Sequence, residues 1–173
     1  VMASLAGAQP GVRDYFARYP YTCLEQRASR AIGLDDDALW AAVGASLPNY
    51  LDGDGLARYF PTDALQGSDA LTAYLLQIAD AADRELPDEA LERMLTGLER
   101  FVQGKVVRGS ALPMADLTVR KLAAIEALAR HKRAKPALID ALPIDPPLWP
   151  TSALVDWIGI LQRVDGVPDR NAR

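Results

Sequence analysis

Apolar positions recur every three or four residues over most of this chain, a spacing that predicts helices. The clearest run starts at Ser68, whose hydroxyl can cap a helix carrying Leu71, Tyr74, Leu75, Ile78 and Ala82 on one face. Pro87, at a first helical position and followed by Asp88 and Glu89, opens a second. Its stripe is Leu91, Met94, Leu95, Leu98 and Val102, and Gly104 closes it. The connection 84–86 is short, so these two helices should be antiparallel neighbours. A third helix is predicted from Met114 to Arg130, with Leu117, Leu122, Ile125 and Leu128 or Ala129 inward. A shorter piece follows Pro136, then the rigid stretch Pro143 to Pro150. Thr151 is the candidate cap of a last helix bearing Leu154, Trp157, Ile158 and Leu161. No stretch alternates strictly with period two, so the fold class is all-α, an array of helical hairpins packed face to face.

Ahead of Ser68 the signals are shorter. Val12, Tyr15, Phe16 and Tyr19 stand at helical spacing until Pro20 interrupts them. A helix should start near Thr22 or Cys23 and run to Ala31 or Ile32, with Gly33 as its stop. Asp35-Asp36-Asp37 resembles a metal patch, but carboxylates also suit the first turn of a helix whose stripe is Leu39, Trp40, Val43 and Leu47. Residues 48–67 are a loop rich in Gly, Pro and Asp. Within it Asp52-Gly53-Asp54-Gly55 imitates an EF-hand start, then fails: Leu56 takes the fifth position and Asp63, not Glu, the twelfth.

At 173 residues the chain suits one domain over 1–173, with a polar tail expected to fray over 167–173. A net charge of −4 offers no basic surface to displace counterions, so nucleic acid is not an expected partner. The cluster Arg130, His131, Lys132, Arg133 and Lys135 is expected at a helix C-terminus, where cations complement the dipole. No apolar run approaches the roughly 20 residues of a bilayer span, so no direct membrane contact is expected. The chain begins at Val1 with no positively charged leader, which suggests a segment of a longer protein.

One cysteine is present, and it carries the chemistry. On a helical turn Cys23 and Gln26 lie side by side, a thiol next to a carboxamide. Attack of the thiolate on that carbonyl, with loss of ammonia, would give a thioester. A helix N-terminus favours a thiolate and offers free N–H groups to a developing oxyanion. C-x-x-Q alone is a weak signal, because a lone Cys usually does no more than pack.

Its surroundings make the signal specific. Tyr19-Pro20-Tyr21-Thr22-Cys23-Leu24-Glu25-Gln26-Arg27-Ala28-Ser29-Arg30 resembles the internal thioester motif of the bacterial alpha-2-macroglobulins. Ser68-Asp69-Ala70-Leu71-Thr72-Ala73-Tyr74 is similar to the S-x-x-L-T-A-Y segment of thioester domains in that superfamily, complement proteins included. The resemblance implies a thioester-containing domain with an α/α-toroid fold. Such domains are longer than this chain, so a partial toroid excised from a larger multidomain protein is expected. It implies a broad-spectrum protease inhibitor, not an enzyme, with no cofactor or metal. In bacteria such proteins are usually periplasmic, tethered to the inner membrane as lipoproteins and used in defence. The implied partners are target proteases, acylated on lysine amines after bait cleavage, and the neighbouring domains of the full-length chain. Cys23 would be the thioester sulfur and Gln26 the acyl carbonyl. Leu24 and Glu25 would link them, and Tyr19, Pro20 and Tyr21 would complete and shield the motif.

One departure matters. Some complement relatives carry a histidine ahead of the third helix, near residues 106–113 here, and this chain has none there. Direct attack by amines is therefore the expected chemistry, with His131 a solvated helix-end residue. Three other readings stay open. A hydrolase or acyltransferase using Cys23 would need a base, and only His131 is available. A toroid enzyme of the terpenoid-cyclase kind would need D-D-x-x-D, but Leu39 stands where the last carboxylate belongs. A helical interaction or scaffold module would never form the bond.

Overall fold

In a computed structural model of the chain, the described residues are 10–109, 114–140, 142–143 and 146–167. They form eight α-helices: α1 (Pro10–Ala17), α2 (Leu24–Leu34), α3 (Asp37–Ser46), α4 (Asp69–Ala81), α5 (Asp88–Val102), α6 (Met114–Arg130), α7 (Pro136–Asp140) and α8 (Thr151–Arg163). Among the described residues there is no strand, only an isolated bridge between Leu51 and Ala57. The chain is all-α.

Side-chain pairs give the helix directions. Asp69, Gln77 and Asp80 of α4 meet Arg120, Glu126 and Arg130 of α6 in the same order, so α4 and α6 run parallel. Phe101 of α5 lies against Arg120, while Glu92 and Glu99 reach Arg133 just past the other end of α6, so α5 runs opposite to both. The short link between α4 and α5 does reverse the chain.

α4 is the centre, packed against α2, α5 and α6. Leu71, Ala73, Leu75, Leu76 and Ala79 are all buried, more of its circumference than one amphipathic stripe. In α5 Met94, Leu95, Leu98 and Val102 are buried as the spacing predicts, joined by Phe101. Leu122, Ile125 and Leu128 do the same for α6. Truncating one of these leucines to Ala removes apolar contact and leaves a cavity, at about 2–5 kcal/mol.

Several ends differ from the spacing-based expectation. Gly33 does not stop α2: the Phe16 ring of α1 packs over it so closely that a Cβ would lie 2.6 Å from Phe16 Cε2. The stop is Asp35, in the left-handed region at φ 53°, its N–H reaching back to Ala31 and Ile32 carbonyls. Pro87 and Pro150 stand one residue outside α5 and α8, so Thr151 is the first residue of α8 and not its cap. α8 also turns a different face inward: Ala153, Trp157 and Ile160 are buried, while Ile158 is 53% exposed. Ser68 does cap α4, accepting from Leu71 N–H at 3.2 Å. Val167, at the start of the expected frayed tail, is buried, and residues 168–173 lie outside the described residues.

Candidate functional site

Cys23 is the N-cap of α2, in extended conformation (φ −66°, ψ 162°), with Gln26 as the third helical residue. At this pairing the third side chain of a helix points back toward the cap. The thiol is free and only 7% exposed. Its side chain makes no capping hydrogen bond. Leu24 N–H is taken by Tyr59 carbonyl at 2.9 Å, and Arg27 N–H closes the first turn on Cys23 carbonyl at 2.9 Å. The N–H groups of Glu25 and Gln26 lie between, in the first turn, where a helix supplies no carbonyl partner.

A polar chain leads away from the thiol. Cys23 Sγ lies 3.9 Å from Glu25 Oε2. Ser29 Oγ donates toward Glu25, with the carbonyl at 2.7 Å and Oε1 at 3.2 Å. Having one hydrogen, Ser29 must then accept from Tyr74 O–H, 2.7 Å away. Ser29 belongs to the first motif and Tyr74 to the second. Two segments 45 residues apart in sequence thus meet at one hydrogen bond.

The other motif positions orient α2. Leu24 is fully buried in the core. Arg27 donates to Tyr50 O–H at 2.9 Å, and Arg30 reaches Ala17 carbonyl at 3.3 Å, clamping α2 to its neighbours. Tyr19 and Tyr21 pack edge to face, ring centroids 5.2 Å apart, with Tyr15 and Phe16 close by. Pro20 is exposed, and Tyr21 is 60% exposed. The aromatic surface stands just ahead of Cys23 in the chain and is itself open.

The loop below the site is rigidly tied. The buried Asp52 carboxylate accepts from the N–H groups of Asp54, Leu56 and Gly67 at 2.9–3.0 Å, and from Arg108 at 2.6 Å. Burial pushes the Asp52 carboxyl up, but the Gly67 and Leu56 N–H donors and then the Arg108 guanidinium outweigh it and hold the group below its ordinary value. Thr72, of the second motif, accepts from Ala57 N–H at 2.8 Å and fastens this loop to α4. The EF-hand imitation is consumed by internal hydrogen bonds. Asp36 caps α3 by accepting from Leu39 N–H at 2.9 Å, while Asp35 and Asp37 pair with Arg84. Asp36 therefore does helix-end work, and the other two carboxylates tie α2 and α3 to Arg84 beyond α4.

His131 lies just past α6, beside Asp80, Asp83 and Leu86 at the C-terminal end of α4. It is half-buried, and its Nε2 is shielded from solvent with no hydrogen-bond partner, so it is not the solvated residue its neighbours suggest. Arg130 and Arg133 of the basic cluster bind Glu126, Asp80, Glu92 and Glu99, cementing α6 to α4 and α5. Sequence spacing did not reveal the Ser29–Tyr74 bond or the Tyr59 carbonyl on Leu24. Both depend on which helices become neighbours.

These features define an all-helical domain with a single buried thiol at a helix start, one turn from a carboxamide. A solved structure shares this fold over 94% of the chain, with a TM-score of 0.64 and 19% sequence identity. It is native alpha-2-macroglobulin from Escherichia coli, spanning the residues from domain MG7 to the C-terminus. The likeness is one of fold, and the chain spans 29% of the length of that structure. No family model and no curated protein matches the sequence.

Proposed function

We propose that this chain is part of the thioester domain of an alpha-2-macroglobulin-like protease inhibitor, with Cys23 and Gln26 forming the bond. The observation that carries the reading is the 2.7 Å hydrogen bond between Ser29 and Tyr74, which joins the two motif-bearing segments beside the thiol. The shared fold supports it, as does the parallel α4–α6 pair with α5 packed antiparallel to both, an arrangement a toroid of hairpins would use. Cys23 attacks the Gln26 carbonyl, the thiol proton leaves with the departing amine as ammonia, and the acyl group waits in a partly dry site. A lysine amine of an attacking protease then takes the acyl group and releases the thiol. Each molecule acts once, as a trap and not a turnover enzyme. Shielding falls to Tyr19, Pro20 and Tyr21 together with neighbouring domains, in a periplasmic protein tethered to the inner membrane.

Intact mass tests this on the protein as the cell makes it. Thioester formation removes one ammonia, about 17 Da below the mass of the sequence. A mass equal to that of the sequence, with Cys23 already titratable, would instead favour an interaction module that never forms the bond.

A further inference from the structure

Away from Cys23, the contact of α8 with α4 and α6 concentrates charge in an unusual way. Glu126 of α6 is almost fully buried. Its carboxylate binds Arg130 Nε at 2.8 Å, and Arg163 Nη1 of α8 lies 3.5 Å away. Gly159 of α8 makes room for it, since a Cβ there would lie 2.7 Å from Glu126 Oε1. Asp156, one turn back on α8, enters no ion pair among the described residues and accepts from Gln77 of α4. Gln77 Nε2 faces three acceptors: Glu126 Oε2 at 2.9 Å, Asp156 Oδ1 at 3.3 Å and Ala123 carbonyl at 3.4 Å. An amide nitrogen has two hydrogens. Gln77 can therefore serve both carboxyl groups, but its 3.3 Å contact stands alone at Asp156, whereas Glu126 also holds Arg130 and Arg163.

We propose that this seam is a proton-operated latch, in which Asp156 takes up a proton to tighten α8 on the bundle and releases it to loosen α8. Ionised, Asp156 sets a second negative charge toward Glu126 in a partly desolvated groove. The groups facing it are Glu126 and Arg130 from α6, and Gln77 from α4. Arg130 is shared with Asp80 of α4 and with Glu126, and Arg163 on α8 itself is turned to Glu126. Protonated, Asp156 sheds the repulsion and becomes a donor where donors are short. Burial first, and then the Glu126 charge, push its carboxyl up to about 6, against the pull of Gln77 and Arg130. The unfolded chain keeps the ordinary value of about 3.9. A raised carboxyl binds its proton more tightly in the folded state, so this group's stabilisation grows as pH falls from above 6 toward 4 and is lost as pH rises. The groove opens to solvent between the exposed Val155 and Ile158, so the proton has a path.

Hydrogen exchange on the full chain tests the latch. Protection of α8 amides, taken relative to α5, should be higher near pH 5 than near pH 7.5 by about three- to tenfold, tenfold being the full effect before the exposure of the seam is discounted. Asp156→Asn should hold the higher protection at both pH values. Equal wild-type protection at the two pH values, or an unchanged difference in the variant, would overturn the proposal. A carbon-13 titration of the wild-type Asp156 carboxyl needs no variant: a midpoint about 6 supports the latch, and one near the ordinary carboxylate value contradicts it.

Discussion

The loop around Asp52 and the start of α2 are joined by hydrogen bonds from Leu24 N–H to Tyr59 carbonyl and from Arg27 to Tyr50, yet they are built in opposite ways. In the loop, the carboxylate oxygens of Asp52 and Asp54 are occupied by backbone N–H groups, Arg108 and Arg100. At the start of α2 the Cys23 side chain caps no backbone N–H, and Tyr15, Tyr21, Tyr59 and Phe60 expose large aromatic surface. The stretch that most resembles a ligand site is therefore a structural knot. The stretch with unspent donors, a thiol and open apolar surface is where chemistry has room. The knot supplies rigidity beneath the turn proposed to carry the thioester.

Breaking the knot should have the largest effect. Asp52→Ala leaves Arg108 partly unpaired and three N–H groups without their acceptor, and should cost about 3–5 kcal/mol, seen as a midpoint lower by on the order of 10 °C. Because the folded Asp52 carboxyl is held below its ordinary value, its contribution is complete above about pH 4 and disappears as pH falls through the lower folded value. Asp52→Asn should therefore flatten the acid limb of the stability curve, measured by thermal melts across pH. Next comes Gly97→Ala on α5, where the added Cβ would meet Asp54 carbonyl at 2.7 Å. Overpacking of this kind should cost about 1–3 kcal/mol in chemical denaturation.

The reactive turn should respond differently. Tyr74→Phe removes one hydrogen bond to Ser29, about 1 kcal/mol of stability, and Ser29→Ala should cost a similar amount. A double-mutant cycle should show the two losses to be non-additive. Smallest of all is Tyr21→Ala, expected within about 0.5 kcal/mol of wild type because the ring is mostly in solvent. Its effect should fall on thioester lifetime instead, and an unchanged hydrolysis rate in the intact protein would remove Tyr21 from the shield.

Local chemistry was readable where it acts over one or two turns. The Ser68 cap and the buried stripes of α5 and α6 followed from spacing alone. Gly33 misled because its role is set by the Phe16 ring, from a different helix. Ile158 misled because α8 places Gly159 against Glu126, which rotates the helix away from its most apolar face. A spacing of three puts Cys23 and Gln26 on one helical turn, as cap and third residue. Their support could not be read from spacing, since Tyr59, Ser29 with Tyr74, and the Asp52–Arg108 pair join residues 35 to 56 positions apart.

The proposed bond joins the Cys23 thiol to the Gln26 carbonyl, and methylamine addresses it directly. Treating the native protein should release one thiol per chain at Cys23 and leave the amine on residue 26, located by peptide mapping. Release and incorporation should occur together in equal amounts. A Cys23 that reacts fully with a thiol reagent before any amine is added, with Gln26 unmodified afterwards, would contradict the account.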